Sequence, residues 1–133
     1  SEFKEIFEYL MNNKDEPSIV CRGERSQVQV YANEIMYIEI SKRGTKVHTL
    51  NKGGMVEKVY SCKKSLDFLY ELFKESNFAY AHNSYIVNLA KVEGLEKNVA
   101  LLQMGIQLNV SRSRKGQFAD ALIMFLGERN GMV

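Results

Sequence analysis

Three short stretches of this chain carry side chains whose chemistry points outward. Two of them, Ser41-Lys42-Arg43-Gly44-Thr45-Lys46 and Ser111-Arg112-Ser113-Arg114-Lys115, each place three positive charges within five or six residues, among Ser or Thr and without an acid. Arg and Lys among small hydroxyl residues on loops is the composition that contacts phosphate oxygens and base edges. The third runs from Ala81 to Asn88 and frames the apolar Tyr85, Ile86 and Val87 with His82, Asn83, Ser84 and Asn88. The apolar residues are expected to bury. The polar ones either bond their own backbone or reach toward a partner. Alone, the stretch reads as a turn pinned to the core with a fixed polar edge. Beside two basic stretches, it reads as part of a binding surface.

Other chemistry is poorly served. A serine, histidine and acid set can be assembled from Ser84, His82 and a carboxylate, but adjacent strand residues point to opposite faces. No glycine pattern of a nucleophile elbow surrounds the serine. Two histidines in the whole chain, His48 and His82, make no metal cluster, and His48, alternating within a strand, is expected to face solvent or a cross-strand neighbour. The sequence therefore predicts no enzyme, no metal and no cofactor. Cys21 and Cys62 stand in no metal-ligand or CxxC spacing, and are expected as reduced, buried thiols of a cytoplasmic protein.

The elements that must position the three stretches come from the periodicity. Phe3, Ile6, Phe7, Leu10 and Met11 share one helical face, so residues 1–16 are expected as an amphipathic helix or linker, ended near Pro17. Ile19–Cys21, Gln27–Tyr31 and Ile35–Ile40 read as strands, the second in clean alternation. A hairpin-like loop follows, with Gly44 free to take positive φ. Lys46–Leu50 and Met55–Tyr60 are strands joined through a turn at 51–54. Leu66, Leu69, Leu72 and Phe73 mark a helix that Ser61 or Ser65 caps. Val92–Leu95, Val99–Gln103 and Ile106–Val110 are short strands. Phe118, Leu122, Phe125 and Leu126 mark a last helix, ended by Gly127 or frayed through Gly131. Many closely spaced short strands with few helices predict a mostly antiparallel β domain.

Composition agrees with one domain: 133 residues, 45% hydrophobic and 26% charged, enough to bury a core. A net charge of +2 says nothing about nucleic acid by itself, so the basic residues matter through their clustering. No apolar run approaches the roughly 18 residues of a membrane span, and no secretory pattern is visible. The first residue is Ser, the expected start of a trimmed chain or of the C-terminal piece of something longer.

The order of these features resembles the LytTR domain, the DNA-binding output module of a class of bacterial response regulators in two-component systems. The matching stretches are Glu34-Ile35-Met36-Tyr37-Ile38-Glu39, the basic loop after it, Tyr60 through the Ser65-Leu66 helix start, Phe78 leading into His82-Asn83-Ser84-Tyr85-Ile86-Val87-Asn88, and Leu108-Asn109-Val110-Ser111-Arg112. Together they cover roughly Pro17 to Leu126 in sequence and spacing. The family often has Arg after the histidine where this chain has Asn83, and sometimes a larger residue at Ala81, so a contact from position 83 would be neutral here.

The resemblance implies an elongated antiparallel β fold over 17–133 whose loops enter successive major grooves of double-stranded DNA, at paired half-sites. Arg112 is then expected to contact a base edge, since Arg to guanine is the commonest specific pairing. The loop around Arg43 and Thr45 would be a second insertion. His82, Asn83, Ser84 and Asn88 would fix the backbone register. Lys42, Lys46, Arg114 and Lys115 would neutralise phosphates, although Arg114 and Lys115 also fit a solvated first turn of the last helix. The isolated domain is expected to be monomeric off DNA. A rival from another class is a protein-interaction module acting through the N-terminal amphipathic helix.

Overall fold

Alternating apolar residues around two tight turns build a seven-stranded antiparallel sheet that carries the rest of the molecule. In a computed structural model, the structure describes residues 16–50 and 56–129. The expected helix over residues 3–11 and the turn at 51–54 lie outside the described residues. The strands in chain order are β1 (Ser18–Arg22), β2 (Gln27–Tyr31), β3 (Ile35–Ser41), β4 (Gly44–Leu50), β5 (Glu57–Cys62), β6 (Phe78–His82), β7 (Tyr85–Asn88), β8 (Val92–Glu96), β9 (Val99–Leu102) and β10 (Gln107–Asn109). Helix α1 (Leu66–Phe73) follows β5, and α2 (Lys115–Arg129) follows β10. The large sheet runs in the order β2-β1-β5-β4-β3-β7-β6, and a small sheet in the order β10-β9-β8. This is the mostly antiparallel β fold with a few helices that the sequence predicts.

The two faces of the large sheet bury two different cores. Ile38 lies opposite both Val47 and Ile86, and these three pack with Leu66, Leu69 and Phe73 of α1. Ser65 caps α1, its hydroxyl accepting from the Phe68 amide at 3.2 Å, as an N-cap serine does. One residue along the register, Tyr37 lies opposite Val87 and Val87 opposite Ala79. That face packs against Ala100 and Leu102 of the small sheet and Phe118 and Leu122 of α2. Side chains alternate across a strand, so a shift of one residue exchanges the cores.

The stretch around Phe78–Asn88 differs from the sequence reading for a physical reason. Phe78–Asn88 forms two strands, β6 and β7, around an Asn83-Ser84 turn, where a turn alone was expected. Ala79, Ala81, Ile86 and Val87 are all buried, so the alternation that signals a half-exposed strand is missing there. Helix α2 runs through Gly127 to Arg129 and starts at Lys115. His48 does have cross-strand neighbours: its ring stacks on Tyr37 with centroids 4.1 Å apart, and its Nε2 lies 2.5 Å from the Glu39 carboxylate.

Candidate nucleic-acid interface

Strand direction decides which turns meet. β3 and β4 are antiparallel neighbours, so their turn at Lys42-Arg43 ends the sheet where β7 begins. The Ile40 amide donates to the Ser84 carbonyl at 2.9 Å, joining that turn to the Asn83-Ser84 turn. The third stretch arrives at the same end, because the Ser111 amide donates to the Ala81 carbonyl at 2.8 Å. Tyr85 fixes it from beside, its phenol donating to the Asn109 carbonyl. The three stretches singled out in the sequence thus lie along one end of the large sheet.

Within this end the side chains differ in how free they are. Lys42, Arg43, Lys46, Asn83, Ser84, Arg112 and Lys115 are exposed. His82 is half-buried: its ring stacks on Tyr85 and its Nδ1 accepts the Ser84 amide at 3.0 Å. A neutral ring that accepts at Nδ1 carries its hydrogen on Nε2, leaving that atom a donor. Arg114 is tied down. Its Nε donates to Asn83 Oδ1 at 3.0 Å and its guanidinium lies 4.4 Å over the Tyr80 ring. Tyr80 in turn donates its hydroxyl to Asp67 at the start of α1. Burial, then this bond to the Asp67 carboxylate, pushes the Tyr80 phenol above its ordinary range, so it stays a donor.

Two expected contacts are corrected. Thr45 is fully buried, and its hydroxyl reaches the carbonyls of Lys64 at 3.2 Å and Cys62 at 3.5 Å. Asn88 is 3% exposed. Its amide donates to the carbonyls of Ile35 at 2.8 Å and Ala32 at 3.3 Å, and its Oδ1 accepts from the Ala90 amide at 3.0 Å. Both side chains brace the backbone from inside and reach no surface, because buried carbonyls and amides need partners.

Further cations reach this end unannounced. β5 returns antiparallel to β4 with Cys62 opposite Thr45, which brings Lys63 and Lys64 beside the Lys42-Arg43 turn. A Cβ on Gly44, whose φ is +118°, would lie 2.2 Å from the Cys62 carbonyl and 3.1 Å from Lys63 backbone atoms. Arg22 faces Ser61 at the matching end of β1, and exposed Arg25 sits in the turn beyond it, beside Glu24. The β3-β4-β5 meander could have placed Lys63 and Lys64 from sequence. The β1–β5 pairing could not, since β1 crosses to a strand far along the chain.

A family model for the LytTr DNA-binding domain matches residues 25–123. The chain belongs to the LytTR family of DNA-binding domains. Among solved structures, it is similar to the LytTr DNA-binding domain of a protein from Bacillus cereus described as a methyl-accepting/DNA response regulator. The TM-score is 0.69 at 20% identity, over 79% of this chain and 95% of that one. At that identity the likeness speaks for the fold of this LytTR domain alone. No curated protein matches the chain. Among the described residues no helix is long and apolar enough to cross a membrane.

Proposed function

We propose that this LytTR domain is the output module of a cytoplasmic transcriptional regulator, in the manner of a two-component response regulator. It would read double-stranded DNA with the turns at one end of its large sheet. The observation that carries the reading is the convergence there of the β3–β4 turn, the Asn83-Ser84 turn and the Ser111–Arg114 turn, tied by backbone hydrogen bonds. The Lys42-Arg43 turn and the Arg112 turn enter successive major grooves. Arg112 is exposed in the turn just past β10, which suits a planar fork aimed at a guanine edge. Lys42, Lys46 and Lys115 neutralise phosphates, joined by Lys63, Lys64 and Arg22. Asn83, Ser84 and His82 set the register on the backbone with neutral donors. Arg114 holds Asn83 in place and contributes its charge from behind. Two copies occupy half-sites about one helical turn apart on one face of the duplex, and the domain is monomeric without DNA.

A band-shift titration against salt tests this. With about six phosphates neutralised, log K falls against log salt with a slope of roughly −5 to −6. A slope near zero would remove DNA as the partner.

A further inference from the structure

Cys21 and Cys62, far apart in the sequence, meet across two strands. β1 and β5 are antiparallel with Arg22 facing Ser61. One step along the same register brings Cys21 opposite Cys62. Arg22 and Ser61 point to solvent, while both cysteines point inward and are buried. The Cys62 thiol is the hydrogen-bond partner of the Cys21 thiol. Both are reduced.

The pair is placed to react and to be felt. A small open cavity of about 170 Å³ is lined by residues of both strands, the two cysteines among them, with Arg22, Gln27, Lys63 and Lys64 at its sides, so solvent comes close to the pair. Directly opposed residues on antiparallel strands hold their Cβ atoms about 4.5–5.5 Å apart, and a disulfide wants about 3.5–4.5 Å. Closing the bond therefore draws β1 and β5 together by roughly 1 Å. A strained disulfide is the easily reduced kind. On the other side of β5, the Cys62 carbonyl is the seat of the basic hairpin. Thr45 bonds to it, and Gly44 packs so close that a Cβ would meet it at 2.2 Å.

We propose that Cys21 and Cys62 are a reversible oxidation site for hydroperoxides, and that the disulfide they form shifts the Lys42–Lys46 hairpin and weakens DNA binding. The second half rests on the DNA-binding reading above; the first does not. Burial first, and then the neighbouring Cys62, push the Cys21 thiol up to about 12. One of the two sulfurs attacks one peroxide oxygen and the O–O bond breaks. An alcohol or water leaves with that thiol's proton, and the sulfur is left as a sulfenic acid. The other sulfur then displaces that hydroxyl, which leaves as water with its own proton. One hydroperoxide takes two electrons, and one S–S bond forms.

The experiment treats the intact chain with hydrogen peroxide. Free thiols are counted by alkylation and mass spectrometry, and binding is measured on a duplex selected from random DNA. The parent is expected to lose both alkylatable thiols and two hydrogen atoms, and to bind roughly tenfold more weakly. Dithiothreitol restores both readouts, which separates the disulfide from methionine oxidation. Cys62→Ala and Cys21→Ala each form no disulfide: the remaining sulfur is recovered as a free thiol or as a sulfenic acid trapped by dimedone, and each variant binds equally with and without peroxide. Should one variant fold poorly, the other and the parent's thiol count still decide. Two free thiols in the treated parent would overturn the site, and a disulfide with unchanged affinity would overturn its coupling to the hairpin. If the reduced parent bound no DNA, the binding reading would fall, while the thiol count still decided the disulfide.

Discussion

The Ser41–Lys46 stretch and the Ser111–Lys115 stretch carry the same charge and hold their shape by opposite means. The first is braced from below by neutral parts: Gly44 lies against the Cys62 carbonyl, and the buried Thr45 hydroxyl reaches Cys62 and Lys64. Its cations Lys42, Arg43 and Lys46 stay exposed. The second spends one of its own cations on bracing, since Arg114 is bonded to Asn83 and laid over Tyr80. Arg112 and Lys115 remain exposed. A count of positive charges therefore overstates what the second turn offers a duplex. Shape and affinity are separable in the first turn and coupled in the second.

The comparison is broken hardest at Gly44. Gly44→Val places a side chain at φ +118° against a carbonyl, and is expected to cost about 3 kcal/mol or more in folding. The check is a urea melt, where the midpoint falls and DNA binding is lost with it. Thr45→Val keeps shape but removes the hydroxyl. It is expected to cost about 1–3 kcal/mol for carbonyls left unpaired, while the folded fraction binds DNA with the parental affinity. Weaker binding by the folded fraction would return Thr45 to the interface. Arg114→Gln is expected to cost about 1 kcal/mol in stability from the lost stacking and charged hydrogen bond. It also weakens DNA binding through Asn83, so Asn83→Ala should add little in its background. Full additivity in that double-mutant cycle would show the two residues acting separately.

Much of this arrangement was legible in the sequence, and the rest was hidden for definite reasons. Alternation marked Gln27–Tyr31, a run rich in β-branched and aromatic residues marked Ile35–Ile40, and apolar spacing with a serine cap marked α1. Gly44 showed itself as the residue needing positive φ. The three candidate stretches stood out by composition. Their convergence needed β7 to pair with β3 and Ser111 to reach Ala81, which local patterns do not encode. Thr45 and Asn88 were read as surface contacts because they lie in the polar stretches that the resemblance assigns to DNA. Their partners, such as Cys62 for one and Ala32 for the other, are distant in sequence. The same non-local pairing of β1 with β5 concealed Arg22 and the meeting of Cys21 with Cys62.

The central claim is that one exposed arginine reads a base while its neighbours only neutralise phosphate. Arg112→Lys keeps the charge and loses the planar fork, which lysine does not copy. On a duplex selected for the parent it is expected to bind more weakly by about 1–3 kcal/mol, with random-DNA binding nearly unchanged. Lys115→Ala, measured beside it, is expected to weaken selected and random DNA equally and to flatten the salt slope by about one unit. Both proteins are first matched to the parent in thermal stability. If Arg112→Lys bound the selected duplex as tightly as the parent, Arg112 would be a phosphate contact and base reading would pass to Arg43.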